Sequence, residues 1–218
     1  MEEARARKAR IKKAKEQPQY ESFTDWARDA ARIITVPVAS RLARLGVHPN
    51  QLTILGSALN LLVGAMLATG RLTLGGWVLA IVAPTDALDG ALARLAGQRS
   101  PLGAFLDSTM DRISEAGLMI GLAFHYLHQG KTTEVLLAFI ALVGANLVSY
   151  TRARAESLGY TCKIGLLTRM ERIAVLTIGL ILGWPTIALW VLAIGSILTA
   201  LQRILHVYRL SRQPSEPV

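Results

Sequence analysis

Residues 51–70, QLTILGSALNLLVGAMLATG, run for twenty residues without one formal charge. That is the length of predominantly apolar chain, roughly 20 residues, that a helix needs to cross a bilayer. Further apolar stretches predict a second span over 72–94, a third over 102–127, a fourth over 133–152 and a sixth over 186–203. The fifth is irregular. Its uninterrupted apolar core, 173–183, is too short to span alone, and extending it back to Gly165 takes in Arg169, Glu171 and Arg172. With 52% hydrophobic residues, the chain is more apolar than an ordinary soluble domain.

The charges locate the ends of these spans. The formal net charge is +9, a balance that fits either nucleic acid or a membrane protein with its basic residues on the cytoplasmic side. With both termini inside, the outer loops hold only Arg71 and Lys131; nearly all other Lys and Arg fall in termini, inner loops or inner ends of spans. That asymmetry supports an all-α integral membrane protein with six transmembrane helices, and argues against a nucleic-acid partner. The opening residues, MEEARARKARIKKAKEQ, carry no apolar run, so no cleavable signal peptide is expected. Residues 1–21 read as a basic cytoplasmic tail, 22–210 as one membrane domain and 211–218 as a C-terminal tail. Within 22–46, Trp26, Ile33, Ile34 and Leu42 alternate at helical spacing with Arg28, Arg32, Arg41 and Arg44. That pattern predicts an interfacial amphipathic N-terminal helix, bent at Pro37. The single Cys162 forms no intrachain disulfide.

Against this apolar background stands DALDGALARLAGQRSPLGAFLDSTMD, residues 86–111. Asp86 and Asp89 are three apart, and Asp107 and Asp111 four apart, so on helices each pair shares one face. A tight turn around GQRSP makes the second and third spans antiparallel neighbours, with both pairs near their cytoplasmic ends. One Asp at the centre of a membrane helix costs about 2.5–3.5 kcal/mol, and four together repel one another. Divalent cations relieve both penalties, and an all-oxygen ligand set suits Mg²⁺ or Mn²⁺. Pairing with arginines alone accounts poorly for four acids and two nearby glycines. Gly90 and Gly103 let a ligand approach the backbone closely, and Arg94, one turn past Gly90, is placed to hold a phosphate.

The spacing D-x-x-D-G-x-x-A-R, eight residues, then G-x-x-x-D-x-x-x-D is carried by Asp86, Asp89, Gly90, Ala93, Arg94, Gly103, Asp107 and Asp111. It resembles the signature of the CDP-alcohol phosphatidyltransferase family. The resemblance implies a site with two Mg²⁺ ions, or Mn²⁺, held by Asp86, Asp89, Asp107 and Asp111. Asp111 would also be the general base that activates an acceptor hydroxyl for attack on the β-phosphorus, releasing CMP. The resemblance places Asn50, Gln51, Leu52, Thr53, Gly90, Arg94 and Ser100 against the CDP-lipid. By themselves Asn50 and Thr53 also fit an ordinary helix cap, and Ser100-Pro101 a helix start.

Three later segments, SYTRARAESLG (149–159), GLLTRMER (165–172) and LQRILHVYR (201–209), bring Arg152, Arg172 and Arg203 to cytoplasmic ends of spans. Singly, each fits a snorkelling anchor; together they suggest a pocket for an anion. The segments are similar to those of the branch of the family that makes phosphatidylinositol phosphate. On that resemblance Ser149, Arg152, Arg172 and Arg203 would bind inositol phosphate, with Arg154 and Arg169 as further candidates. Thr168 and Met170 depart from that branch's commoner acidic-R-P-E-R form. The G-K-x-K-T segment of glycerol-phosphate-using relatives is absent from the corresponding loop.

The reading that follows is a phosphatidyltransferase of the plasma membrane, with both termini and the site on the cytoplasmic side. Its partners would be CDP-diacylglycerol, inositol phosphate and membrane lipid, and the resemblance implies a homodimer. The alternatives keep the chemistry but change a substrate, to glycerol 3-phosphate or an archaeal ether-linked CDP-lipid. A cation transporter is a different class, disfavoured because the acids gather near one end. An all-helical prenyl-diphosphate enzyme is disfavoured by the spacing of the glycines and Arg94.

Overall fold

A computed structural model of the chain describes residues 35–98 and 100–212. The expected basic tail, the first part of the interfacial helix, residues 22–34, and most of the C-terminal tail lie outside the described residues. Residues 35–44 are helical, and no strand occurs among the described residues. Seven further helices follow: α1 (Pro49–Ala68), α2 (Leu72–Val82), α3 (Thr85–Leu95), α4 (Pro101–His128), α5 (Thr132–Ser157), α6 (Arg169–Ile181) and α7 (Pro185–Ser211).

Local chemistry sets the starts of the helices that carry the site. The His48 imidazole accepts from the Asn50 amide, and the Gln51 side chain accepts from the His48 amide at 3.1 Å. This reciprocal cap, with Pro49 in the first turn, opens α1. The Ser100 hydroxyl accepts from the Gly103 amide at 3.0 Å, and Pro101 opens α4. The Gln51 and Ser100 side chains expected to touch a nucleotide are thus also helix caps.

Three helices, α1, α5 and α7, are long and apolar enough to cross a membrane. Their outward faces present Leu62, Phe139, Val143, Trp190 and Ile194, all exposed, as lipid-facing surfaces do. The chain is therefore a membrane protein. The expected second span is two helices: α2 and α3 meet at Ala83 and Pro84, which keep right-handed helical dihedrals. Pro84 lacks an amide hydrogen and so breaks the ladder, kinking the span and starting a fresh helix whose first turn contains Asp86. The irregular fifth segment yields only the 13 residues of α6, about 20 Å of helix against roughly 30 Å of hydrocarbon. The ten residues before it form a loop bound to α7.

The order of contacts gives the topology. Ser57 pairs with Ser114 while Gly64 lies against Gly117 and Gly121, so α1 and α4 run parallel. Gly144 lies against Ser196 and Ile197, and further along α5 the Val148 carbonyl accepts from Arg203, so α5 and α7 are parallel too. A Cβ on Gly64 would stand 2.5 Å from the Gly117 carbonyl oxygen; only glycine permits this backbone contact. The core between the helices is built from Val63, Leu67, Leu79, Leu118, Leu122, Leu176, Leu180 and Leu189.

Candidate active site

The four aspartates come together at one end of the bundle. Asp86 and Asp89 lie on α3, Asp107 and Asp111 on α4, and each is close enough to feel the charge of others in the group. Asp89 is buried and accepts a hydrogen bond from the Thr53 hydroxyl at 2.6 Å, which ties α1 to α3. Asp86 sits in the first turn of α3, where the positive end of the helix dipole favours a carboxylate. Between the pairs reaches Arg169, from the start of α6. Its Nη1 is 2.7 Å from Asp86 Oδ2 and its Nη2 is 2.9 Å from Asp111 Oδ1. One guanidinium thus bridges the α3 and α4 carboxylates.

Around the acids the backbone leaves room. A Cβ on Gly90 would meet nothing nearer than an Arg94 terminal nitrogen at 3.6 Å, and Arg94 is exposed. A Cβ on Gly103 would lie 3.1 Å from Ser100 Oγ and 3.3 Å from Asn50 Oδ1. Asn50, Ser100 and Gly103 therefore meet where α1 and α4 begin, beside the acids. Leu52, half-buried, packs on a small apolar cluster with Ala39, Ala91 and Leu92 and leaves this polar group to its neighbours. Gly56 escaped sequence reasoning because one more glycine in an apolar run carries no signal. A Cβ there would stand 2.8 Å from Thr85 Oγ1 and 3.8 Å from Asp86 Oδ1, so Gly56 sets how closely α1 approaches the start of α3.

The expected acceptor residues are also neighbours: Arg203 feels the positive charge of both Arg152 and Arg172. Their engagements differ. Arg152 is half-exposed and pairs with Glu156 on its own helix at 2.8 Å. Ser149 is half-buried on the same helix, and Arg154 is exposed. Arg172 is buried and forks onto Glu115 of α4 at 2.6 and 2.9 Å, while its Nη1 donates to the Leu167 carbonyl at 3.0 Å. Arg203, also buried, donates to the carbonyls of Ile164, at 2.8 Å, and Val148. Thr199 accepts from the Leu167 amide at 3.0 Å. Arg172, Arg203 and Thr199 together hold the loop before α6 and so place Arg169. Glu115 was not singled out in the sequence, although it extends the Asp107–Asp111 spacing by four residues.

Among the described residues, no three His, Cys, Asp or Glu side chains form a ready-made metal cage. The donor chemistry nevertheless fits a divalent cation. Four carboxylates of mutually repelling charge converge, and a positive group already bridges two of them. Oxygen-only donors select hard cations.

Comparison with known proteins gives a consistent result. Residues 46–202 match the family model described as CDP-alcohol phosphatidyltransferase. The archaetidylinositol phosphate synthase of Pyrococcus horikoshii is 41% identical over 168 residues, covering 77% of this chain and 87% of that protein. The phosphatidylinositol phosphate synthase of Mycobacteroides abscessus is 36% identical over 197 residues, covering 85% and 88%. The crystal structure of Mycobacterium tuberculosis phosphatidylinositol phosphate synthase with CDP-DAG bound superposes with a TM-score of 0.77 at 31% identity, covering 85% of this chain and 98% of that one. The same enzyme in complex with manganese and citrate gives 0.77 at 31%, covering 85% and 94%.

Proposed function

The chain belongs to the CDP-alcohol phosphatidyltransferase family and is a phosphotransferase; from that premise we propose that it transfers a phosphatidyl group from CDP-diacylglycerol to 1L-myo-inositol 1-phosphate. The products are phosphatidylinositol phosphate and CMP. The observation that carries this reading is the convergence of Asp86, Asp89, Asp107 and Asp111 beside an arginine-lined loop on the same end of the bundle. The protein would act as a homodimer in the plasma membrane, crossing it six times, with this end facing the cytoplasm.

Asp86, Asp89, Asp107 and Asp111 would hold two Mg²⁺ ions, or Mn²⁺. When bound, these neutralise the diphosphate and stabilise the departing phosphate. The remaining work belongs to the chain. Thr53 fixes the orientation of Asp89. Gly90 and Gly103 leave space for the nucleotide, and Asn50, Gln51, Leu52, Thr53 and Ser100 form the wall beside it. The exposed Arg94 supplies a cation to a phosphate oxygen. Asp111 takes the proton from the acceptor hydroxyl, whose oxygen attacks the β-phosphorus as the bond to CMP breaks. Ser149 and Arg152 offer donors to the acceptor's phosphate, with Arg172 and Arg203 supplying positive charge behind them.

The similarity to an archaeal synthase favours one second reading, the same acceptor with an ether-linked CDP-archaeol-type donor. Purified protein given Mg²⁺ and labelled inositol phosphate should form labelled lipid with CDP-diacylglycerol. Competition between ester- and ether-linked donors, and between inositol phosphate and glycerol 3-phosphate, separates the readings. Exclusive use of glycerol 3-phosphate would overturn the proposed acceptor.

A further inference from the structure

The first turn of α6 carries two arginines of unequal standing. Arg172 is 3% exposed, and all three of its guanidinium nitrogens have partners, two on Glu115 and one on the Leu167 carbonyl. Arg169, three residues earlier and so on the same face, is a quarter exposed and grips Asp86 and Asp111 by its two terminal nitrogens. Its Nε is buried with no hydrogen-bond partner among the described residues. One guanidinium is fully satisfied within the protein, and the other leaves a buried donor unpaired while occupying the centre of the acid cluster. A buried polar group without a partner is a standing penalty, so the Arg169 arrangement is the exchangeable one.

We propose that Arg169 is a tethered counter-cation of the aspartate centre, which holds the carboxylates together before metal loading and is displaced when the divalent cation binds. The proposal rests on the reading of these aspartates as metal ligands. The oxygens that Arg169 engages, Asp86 Oδ2 and Asp111 Oδ1, belong to that ligand set. A guanidinium and a divalent ion sharing them would stand at the distance of a repelling like-charge pair. Arg172, anchored on Glu115, keeps α6 in register while its neighbour moves. Displacement also frees Asp111 Oδ1, the oxygen that Arg169 engages. Arg169 is thus a positioning residue that sets the geometry of the carboxylates before metal loading.

The test is direct metal binding. EDTA-stripped wild type, Arg169→Ala and Arg169→Gln in detergent are titrated with Mn²⁺, and the free ion is followed by its electron paramagnetic resonance signal. Both variants should bind Mn²⁺ about tenfold more tightly, the scale on which a partly buried ion pair competes. Their thermal midpoints should be lower than wild type without metal and rise further on Mn²⁺ addition. Arg169→Gln keeps polarity and part of the side chain while removing the charge, so it decides the matter if the alanine variant does not fold. Equal or weaker Mn²⁺ binding by the variants overturns the proposal and leaves the metal site standing. No Mn²⁺ binding by any of the three overturns the metal site and the proposal together.

Discussion

Thr53 donates its hydroxyl hydrogen to Asp89 at 2.6 Å, joining the first turns of one helix to the acid cluster of another. A hydrogen bond to a charged group contributes about 1.5–3 kcal/mol. Thr53→Val, which keeps the shape and loses the hydroxyl, should lower kcat/KM for CDP-diacylglycerol by about tenfold or more. Thr53→Ser should retain most of the activity. Release of CMP measures both, and a fully active valine variant would make the contact incidental.

The Glu115–Arg172 pair is buried on both sides, 8% and 3% exposed. Removing one partner strands the other charge, a loss of about 3–5 kcal/mol for buried pairs. Glu115→Leu and Arg172→Leu should each unfold at markedly lower temperature than wild type, and the double variant should recover part of the loss. A double-mutant cycle on thermal midpoints reads the coupling; additive losses would mean the pair contributes little.

Asp111 is expected to take the acceptor's proton. Asp111→Asn should reduce turnover by at least about a hundredfold, within the range of general-base contributions, and leave binding of the CDP-lipid measurable. Calorimetry on the variant with the donor lipid separates loss of chemistry from loss of binding.

Of Arg152, Arg172 and Arg203, Arg152 is the least committed, with only a half-exposed partner in Glu156. Arg152→Ala should raise KM for inositol phosphate several-fold and leave KM for the CDP-lipid nearly unchanged, with little loss of stability, since exposed pairs contribute about 0–1 kcal/mol. A shift in the CDP-lipid KM instead would place Arg152 on the donor side.

Gly64 admits the backbone of α4. Gly64→Ala must push the helices apart, because its Cβ would sit 2.5 Å from a carbonyl oxygen that cannot rotate away. Overpacking of this kind costs about 1–3 kcal/mol, visible as a lower thermal midpoint. Gly130→Ala, at the far end where a Cβ meets no neighbouring atom, tests backbone strain alone, since its φ is +68°.

The aspartate centre was legible because spacings of three and four residues fix a helical face whatever surrounds it. The break at Pro84 follows from the residue type alone, because proline removes an amide hydrogen wherever it falls. The partners of the arginines were not. Glu115 and Arg172 are 57 residues apart, and their meeting depends on how α4 and α6 cross, which no local pattern records. Arg203 spends its donors on backbone carbonyls, which have no sequence signature. Charge asymmetry therefore placed these arginines at one common end of the spans and left open what they touch there. The fifth segment resisted a span assignment because residues 165–168 are a loop, sewn to α7 by Thr199 and Arg203, and its charged residues Arg169, Glu171 and Arg172 fill the first turn of a short helix.

The glycine contact between α1 and α4 also acts as a fulcrum. Gly64 and Gly117 lie eleven and ten residues from Thr53 and Asp107 respectively, arms of roughly 15 Å each. The helices run side by side in the same direction, so both arms point to the same end. The spacing between the start of α1 and the acids is therefore gauged from a backbone contact several turns away, by two residues far from the site.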